Sequence, residues 1–176
     1  IKIIIIMRKV IISYLALAIP FLVIIWMIGV DVLIFLTTDE YLISSHTLFL
    51  ISFNIFIFGL FQFAHYIVLL ERGSQNAPFL MAFIVGINIS LNLFLIPKIG
   101  IFGAAVSGLI SNFFLMIIVH NMSRRNINWK FPYKESYKIL LRSLIMGIVI
   151  WLGISIYGGD IVSIIIITMI AGLVYG

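Results

Sequence analysis

The stretch Asn88–Gly108 reads NISLNLFLIPKIGIFGAAVSG and decides how the rest of the chain is read. Two asparagines, Asn88 and Asn92, stand one helical turn apart in an otherwise apolar run. Pro97 and Gly100 then punctuate the chain, and a second apolar run opens with Gly103, Ala104 and Ala105. This order predicts a helix ending near Pro97, a tight turn around Gly100 and a second helix with a small-residue face.

The flanking sequence sets the solvent. Hydrophobic residues make up 64% of the 176 and charged residues only 10%. A soluble domain is nearer half apolar and a quarter charged. The excess apolar surface has no water-soluble core to hide in, so the chain is integral to a bilayer. The net charge of +5 lacks the polar surroundings of a nucleic-acid arm and is read as membrane topology. No cysteine is present, which excludes disulfides and thiolate metal sites. The chain does not begin with Met and ends at Gly176 in an apolar run, so it is expected to be a piece of a longer protein.

Six apolar segments follow, over 11–36, 46–70, 78–97, 101–120, 139–157 and 161–176. A span needs about 20 residues, and the sixth is short. Residues 1–7 read as the tail of an earlier helix or an interfacial lead-in. The runs are long and do not alternate, so they are helices and not barrel strands. Pro20 predicts a kink in the first, Asn76 and Pro78 a helix start, and Gly158–Gly159 the break between the last two. The connections alternate in charge. Lys2, Arg8, Lys9, Arg72, Arg124, Arg125, Lys130, Lys134, Lys138 and Arg142 fall on one side, and Lys98 with Asp39, Glu40 and Asp160 on the other. The positive-inside rule makes the basic side cytoplasmic, with both ends of the chain inside and the Pro97–Gly100 turn outside. Between 121 and 138, Trp129, Phe131, Tyr133 and Tyr137 alternate with lysines. That pattern suits either a segment at the headgroups or an ordinary loop with an aromatic belt.

Several polar residues fall inside the spans. Asn88 lies ten residues after Pro78, about 15 Å into the bilayer. An unpaired amide there costs several kcal/mol, so Asn88 and Asn92 either bond neighbouring helices or line a cavity. Asn54, Gln62 and His65 form a polar stripe on a Phe-rich helix, a second cavity candidate or a set of packing residues. Asp31 is a candidate for ion coupling, unless its helix ends early and leaves it near water. Gly103, Ser107 and Ser111 form one small stripe, and Ala104, Gly108 and Asn112 another, for close helix approach. No catalytic constellation, metal-ligand set or phosphate loop is present, which points away from an enzyme and from any cofactor.

Asn88, Asn92, the Leu95-Ile96-Pro97 ending, Gly100 and Gly103-Ala104-Ala105 resemble a signature of the polysaccharide-transport family. These are lipid-linked oligosaccharide flippases of the multidrug/oligosaccharidyl-lipid/polysaccharide exporter superfamily. Ser107 and Gly108 depart from the Ala and Thr of a typical member, and Ile99 from its aromatic. The resemblance implies an all-α integral membrane protein whose six transmembrane helices, residues 1–176, form the C-terminal lobe of a two-lobe flippase. It implies movement of a polyprenyl-diphosphate-linked oligosaccharide between leaflets of a bacterial or archaeal plasma membrane, for cell-surface polysaccharide. Its partners would be the bilayer, the lipid-linked oligosaccharide, an N-terminal lobe and polysaccharide-assembly proteins. A drug/cation antiporter, a peptidoglycan-precursor flippase and, from another class, a multi-pass glycosyltransferase or polymerase are the alternatives. The last expects a long polar outer loop, and the outer connections here are short. This chain offers no Lys or Arg at mid-membrane depth to grip a diphosphate.

Overall fold

The computed structural model describes residues 2–37, 44–72, 77–126, 131–157 and 161–175. Asn76, the Gly158–Gly159 break, the outer acids Asp39, Glu40 and Asp160, and Trp129 and Lys130 lie outside them. Five helices account for the described chain: α1 (Lys2–Leu36), α2 (Ser45–Arg72), α3 (Ala77–Asn126), α4 (Tyr133–Tyr157) and α5 (Ile161–Tyr175). No strand occurs among the described residues. Four of the helices hold stretches long and apolar enough to cross a membrane: Ile5–Leu36, Ser45–Phe63, Pro78–Asn121 and Tyr133–Ile156. At 15 residues, α5 is shorter than these. Large apolar side chains face outward in every part of the fold; Leu17, Phe79 and Leu93 are 76%, 79% and 74% exposed. Such an outer surface needs hydrocarbon around it, and the chain reads as a multi-pass membrane protein.

The helix α3 is two arms. Ile99 (φ −133°, ψ 16°) and Gly100 (φ 60°, ψ −141°) are non-helical, and the chain doubles back there. The proof is a hydrogen bond from Asn88 Nδ2 to Ser111 Oγ at 3.3 Å. Along one straight helix those 23 residues would span about 35 Å. The pairing is symmetrical about the turn, since 88 and 111 sum to the same total as Ile84 and Leu115 of one buried cluster. The helix was expected to stop at Pro97. It carries through Pro97 and breaks at Ile99, because a proline in the final turn leaves most of the hydrogen-bond ladder intact, whereas the positive φ of Gly100 does not continue a helix.

Contacts divide the chain into two compact units, Leu50–Lys130 and Lys2–Phe49 with Phe131–Gly176. In the first, α2 lies against both arms of α3 around Phe61, Ile84, Leu115 and Val119. Asn54 meets Asn112 and Phe61 joins Leu115 and Val119, so α2 runs parallel to the second arm and opposite to the first. The second unit is a bundle of α1, α4 and α5. Its core holds Ile28, Met146, Ile150, Ile164, Ile167 and Ala171. Arg8 meets Glu135 and Val23 lies where a Cβ on Gly147 would project, so α1 and α4 run in the same direction. Ile167 lies against Gly153 and Tyr175 Oη donates to the Ala16 carbonyl at 2.7 Å, so α5 runs opposite to both.

Helix ends differ from the apolar segments for local reasons. α1 starts at Lys2, nine residues before its segment, because Arg8 and Lys9 are good helix formers that interrupt hydropathy and not the helix. Pro20 lies inside α1 without ending it. α2 is preceded by a capping serine, Ser44, whose Oγ accepts the Thr47 N–H at 3.3 Å. α4 opens at Tyr133, with Glu135 in its first turn where a negative charge suits the helix dipole. The polar connection expected over 121–138 is therefore mostly helix: α3 reaches Asn126 and α4 takes up Tyr133–Lys138.

Gly86 and Gly100 form a natural contrast, since an added Cβ meets nothing within 4 Å at either and only Gly100 has positive φ. Gly100→Val should lower stability by about 1–3 kcal/mol through backbone strain alone. Gly86→Ala should be neutral or stabilising by up to about 1 kcal/mol. Thermal unfolding of the detergent-solubilised protein reads both.

Candidate functional site

The polar residues singled out in the hairpin come together as a ladder between its arms. Asn92 Nδ2 donates to Asn88 Oδ1 at 2.9 Å, as two amides one turn apart can. Asn88 Nδ2 in turn donates to Ser111 Oγ. Ser111 Oγ donates to the Ser107 carbonyl, and Ser107 Oγ to the Gly103 carbonyl, each at 2.8 Å. Both serines are buried, at 0% and 2% exposure. Each hydroxyl thus satisfies its donor on its own helix, and Ser111 still offers a lone pair to Asn88. The small residues make this possible. A Cβ on Gly103 would sit 2.7 Å from the Leu95 carbonyl oxygen, so the arms approach there at backbone distance.

A second polar pair joins α2 to the same arm. Asn112 Nδ2 donates to Asn54 Oδ1 at 2.8 Å. Gly108 leaves room for the Asn54 amide, whose nitrogen would lie 2.5 Å from an added Cβ. Ser107 and Ser111 thus turn toward one neighbour and Gly108 and Asn112 toward another, while Ala104 is half-buried. The two small stripes read from the sequence correspond to these two packing faces. The pairing of Asn112 with Asn54 was not legible, although the position of Asn112 one turn after Gly108 was a usable signal.

The remaining candidates stand apart from the ladder. His65 stacks on Phe61 with ring centroids 5.2 Å apart, a packing arrangement one turn along α2. Gln62 is half-buried on α2. Asp31 belongs to the other compact unit. It lies inside α1, is exposed, and has no ion pair or hydrogen bond to a described residue. α1 does not end before it. No group of three His, Asp or Glu residues suited to a metal occurs among the described residues. A shallow apolar groove of about 290 Å³ lies over Tyr14, Leu17, Ala18 and Phe21 on α1.

Chemically the ladder is a neutral layer of amides and hydroxyls. Its side chains lie seven to twelve residues from Gly100, about 10–18 Å from the turn, which approaches mid-bilayer if the turn sits at the boundary. It carries no acid or base for proton transfer. Among the described residues one acceptor of the ladder is left over: Asn92 Oδ1 is buried and has no donor. No protein-family model, curated protein or solved structure matches the chain.

If the ladder holds the arms together, Asn88→Ala and Ser111→Ala should each destabilise the protein and be coupled by about 0.5–1.5 kcal/mol in a double-mutant cycle. Strict additivity of the two losses would show that the bond contributes nothing.

Proposed function

We propose that this chain forms six transmembrane segments of a flippase that carries a polyprenyl-diphosphate-linked oligosaccharide from the cytoplasmic to the outer leaflet. The observation that carries the reading is the hairpin ladder. Of the residues that resemble the polysaccharide-transport signature, Asn88 and Asn92 form the first arm's side of the ladder, with Asn88 bonded across to Ser111, and Gly103 brings the arms to backbone distance beside Leu95.

The helix directions support the six-segment reading. Parallel helices that both cross a bilayer need an odd number of crossings between them. α1 and α4 are parallel, and α2 with the two arms of α3 supplies three. The opposed α5 is then the sixth, returning to the side where α1 began. On this reading the basic ends of α1 and α4 are cytoplasmic, by the positive-inside rule, and the Gly100 turn faces outward.

The transport physics follows from the substrate. A sugar and diphosphate head cannot cross hydrocarbon unaided, whereas the prenyl tail stays in lipid throughout. Two lobes enclosing a wet cavity and rocking about it would give alternating access. This chain is read as the C-terminal lobe, and cationic groups for the diphosphate would come from the N-terminal lobe. Asn92 Oδ1, the acceptor without a donor, is the point in this layer where water or a sugar hydroxyl would engage.

Depleting the protein in the cell that makes it should leave polyprenyl-diphosphate oligosaccharide on the cytoplasmic leaflet and strip the surface of the corresponding polysaccharide. Normal surface polysaccharide after full depletion would contradict the proposal. A cation-coupled exporter of the same superfamily is the second reading, favoured by the exposed Asp31 within α1, which has no ion pair to a described residue. It expects Asp31→Asn to abolish transport and its dependence on pH; transport unchanged at every pH removes it.

A further inference from the structure

We propose that the adjoining N-terminal ends of α1 and α4 form a binding site for the phosphate of an anionic phospholipid. One ion pair crosses the junction. Arg8 Nη2 donates to Glu135 Oε1 at 2.7 Å, with the two side chains 56% and 38% exposed. This bond joins residues 127 apart in sequence and sets Arg8, about 9 Å along α1 from its start at Lys2, level with the first turn of α4. It brings two basic groups that the sequence keeps apart onto one end of one bundle.

Lys9 adjoins Arg8 on α1. On α4, Lys134, Lys138 and Arg142 recur every four residues and form one stripe. All five basic residues are exposed. Glu135 is the acid that faces them from α4; Tyr175 is the titratable group that α5 brings near, and its hydroxyl is engaged on the Ala16 carbonyl. Five cations against one carboxylate leave four positive charges. Arg8 commits Nη2 to Glu135 and keeps further N–H donors for a second acceptor, as a guanidinium can.

The depth of the junction selects the ligand. Tyr133 and Tyr137, 74% and 61% exposed, stand on the same first turns of α4, where an aromatic belt meets the headgroups. The cations stand among exposed apolar side chains, Ile5, Ile6 and Val10 on α1 and Leu141 on α4, and beyond Arg142 the outer face of α4 continues apolar through Leu144 and Ile145. A phosphate held at the junction therefore has a hydrocarbon wall directly beneath it. That pairing fits an amphiphile with one anionic head and acyl chains, and basic clusters at transmembrane helix ends attract such lipids. The inference requires only that α1 and α4 stand in a membrane. It does not depend on the transported substrate.

The test titrates the full-length protein, purified in a neutral detergent, with phosphatidylglycerol or phosphatidylcholine and reads retained lipid by native mass spectrometry. Phosphatidylglycerol should be retained preferentially, and inorganic phosphate should not displace it. Lys138→Gln/Arg142→Gln should weaken retention by more than about tenfold, at about fivefold per lost charge. Both residues are exposed, so folding should be unchanged, and a melting curve checks this; Lys134→Gln is the milder companion. Glu135→Gln, which removes the acid and releases Arg8, should strengthen retention. Equal retention of phosphatidylcholine, unchanged affinity in the double variant, weaker retention in a folded Glu135→Gln protein, or displacement by inorganic phosphate would each overturn the proposal.

Discussion

The hydrogen bond from Asn88 to Ser111 is the contact on which the hairpin of α3, and with it the first compact unit, depends. In lipid the apolar surfaces of two helices gain little by meeting each other, because the surrounding tails are as apolar as leucine. Association then rests on close packing and on polar bonds. The hairpin uses both. Gly103 lets the arms meet at backbone distance beside the turn, and the amide ladder closes them further down. The second arm offers its other small face, Gly108 and Asn112, to Asn54 of α2. One helix with two small polar faces therefore organises three.

The second unit solves the same problem with different chemistry. Gly147 admits Val23 and Gly153 admits Ile167, so close approach again falls at glycines. Long-range polar bonds add to this: Tyr175, packed against the apolar core, donates to the Ala16 carbonyl, and Arg8 meets Glu135 near the ends of α1 and α4. The ion pair is exposed and adds little stability in water. Its consequence is positional, since it holds Arg8 beside the first turn of α4, at the end of a pair of helices whose direction the core packing also sets. That placement gathers the basic residues the charge pattern had only assigned to one side of the membrane.

Much of this was legible in the residues. Proline and glycine marked the turn, the four-residue spacing of Asn88 and Asn92 put both amides on one face, and the small stripes announced a face for close helix approach, though not that it would serve two neighbours. The helix starts of α1 and α4 were not legible, because hydropathy falls at Arg8, Lys9 and Lys134–Lys138 while helix propensity does not. The exposed position of Asp31 inside α1 was half legible: its depth could be counted, and its surroundings could not. Partners distant in sequence were out of reach. Nothing local tells Arg8 that it will meet Glu135, or Asn54 that it will meet Asn112, because those encounters follow from helix directions that only the folded chain sets.

Cross-linking across the hairpin tests the central claim most directly. The chain has no cysteine, so an introduced pair reports cleanly. With Ile84→Cys and Leu115→Cys in native membranes, mild oxidation should form an intramolecular disulfide in high yield, because these positions share one buried cluster. Ile84→Cys with Phe102→Cys, on an arm position beside the turn, should not cross-link. If the first pair stays reduced under conditions that oxidise an exposed cysteine, or if both pairs react alike, α3 is not the hairpin described, and the ladder from Asn88 to Ser111 does not exist.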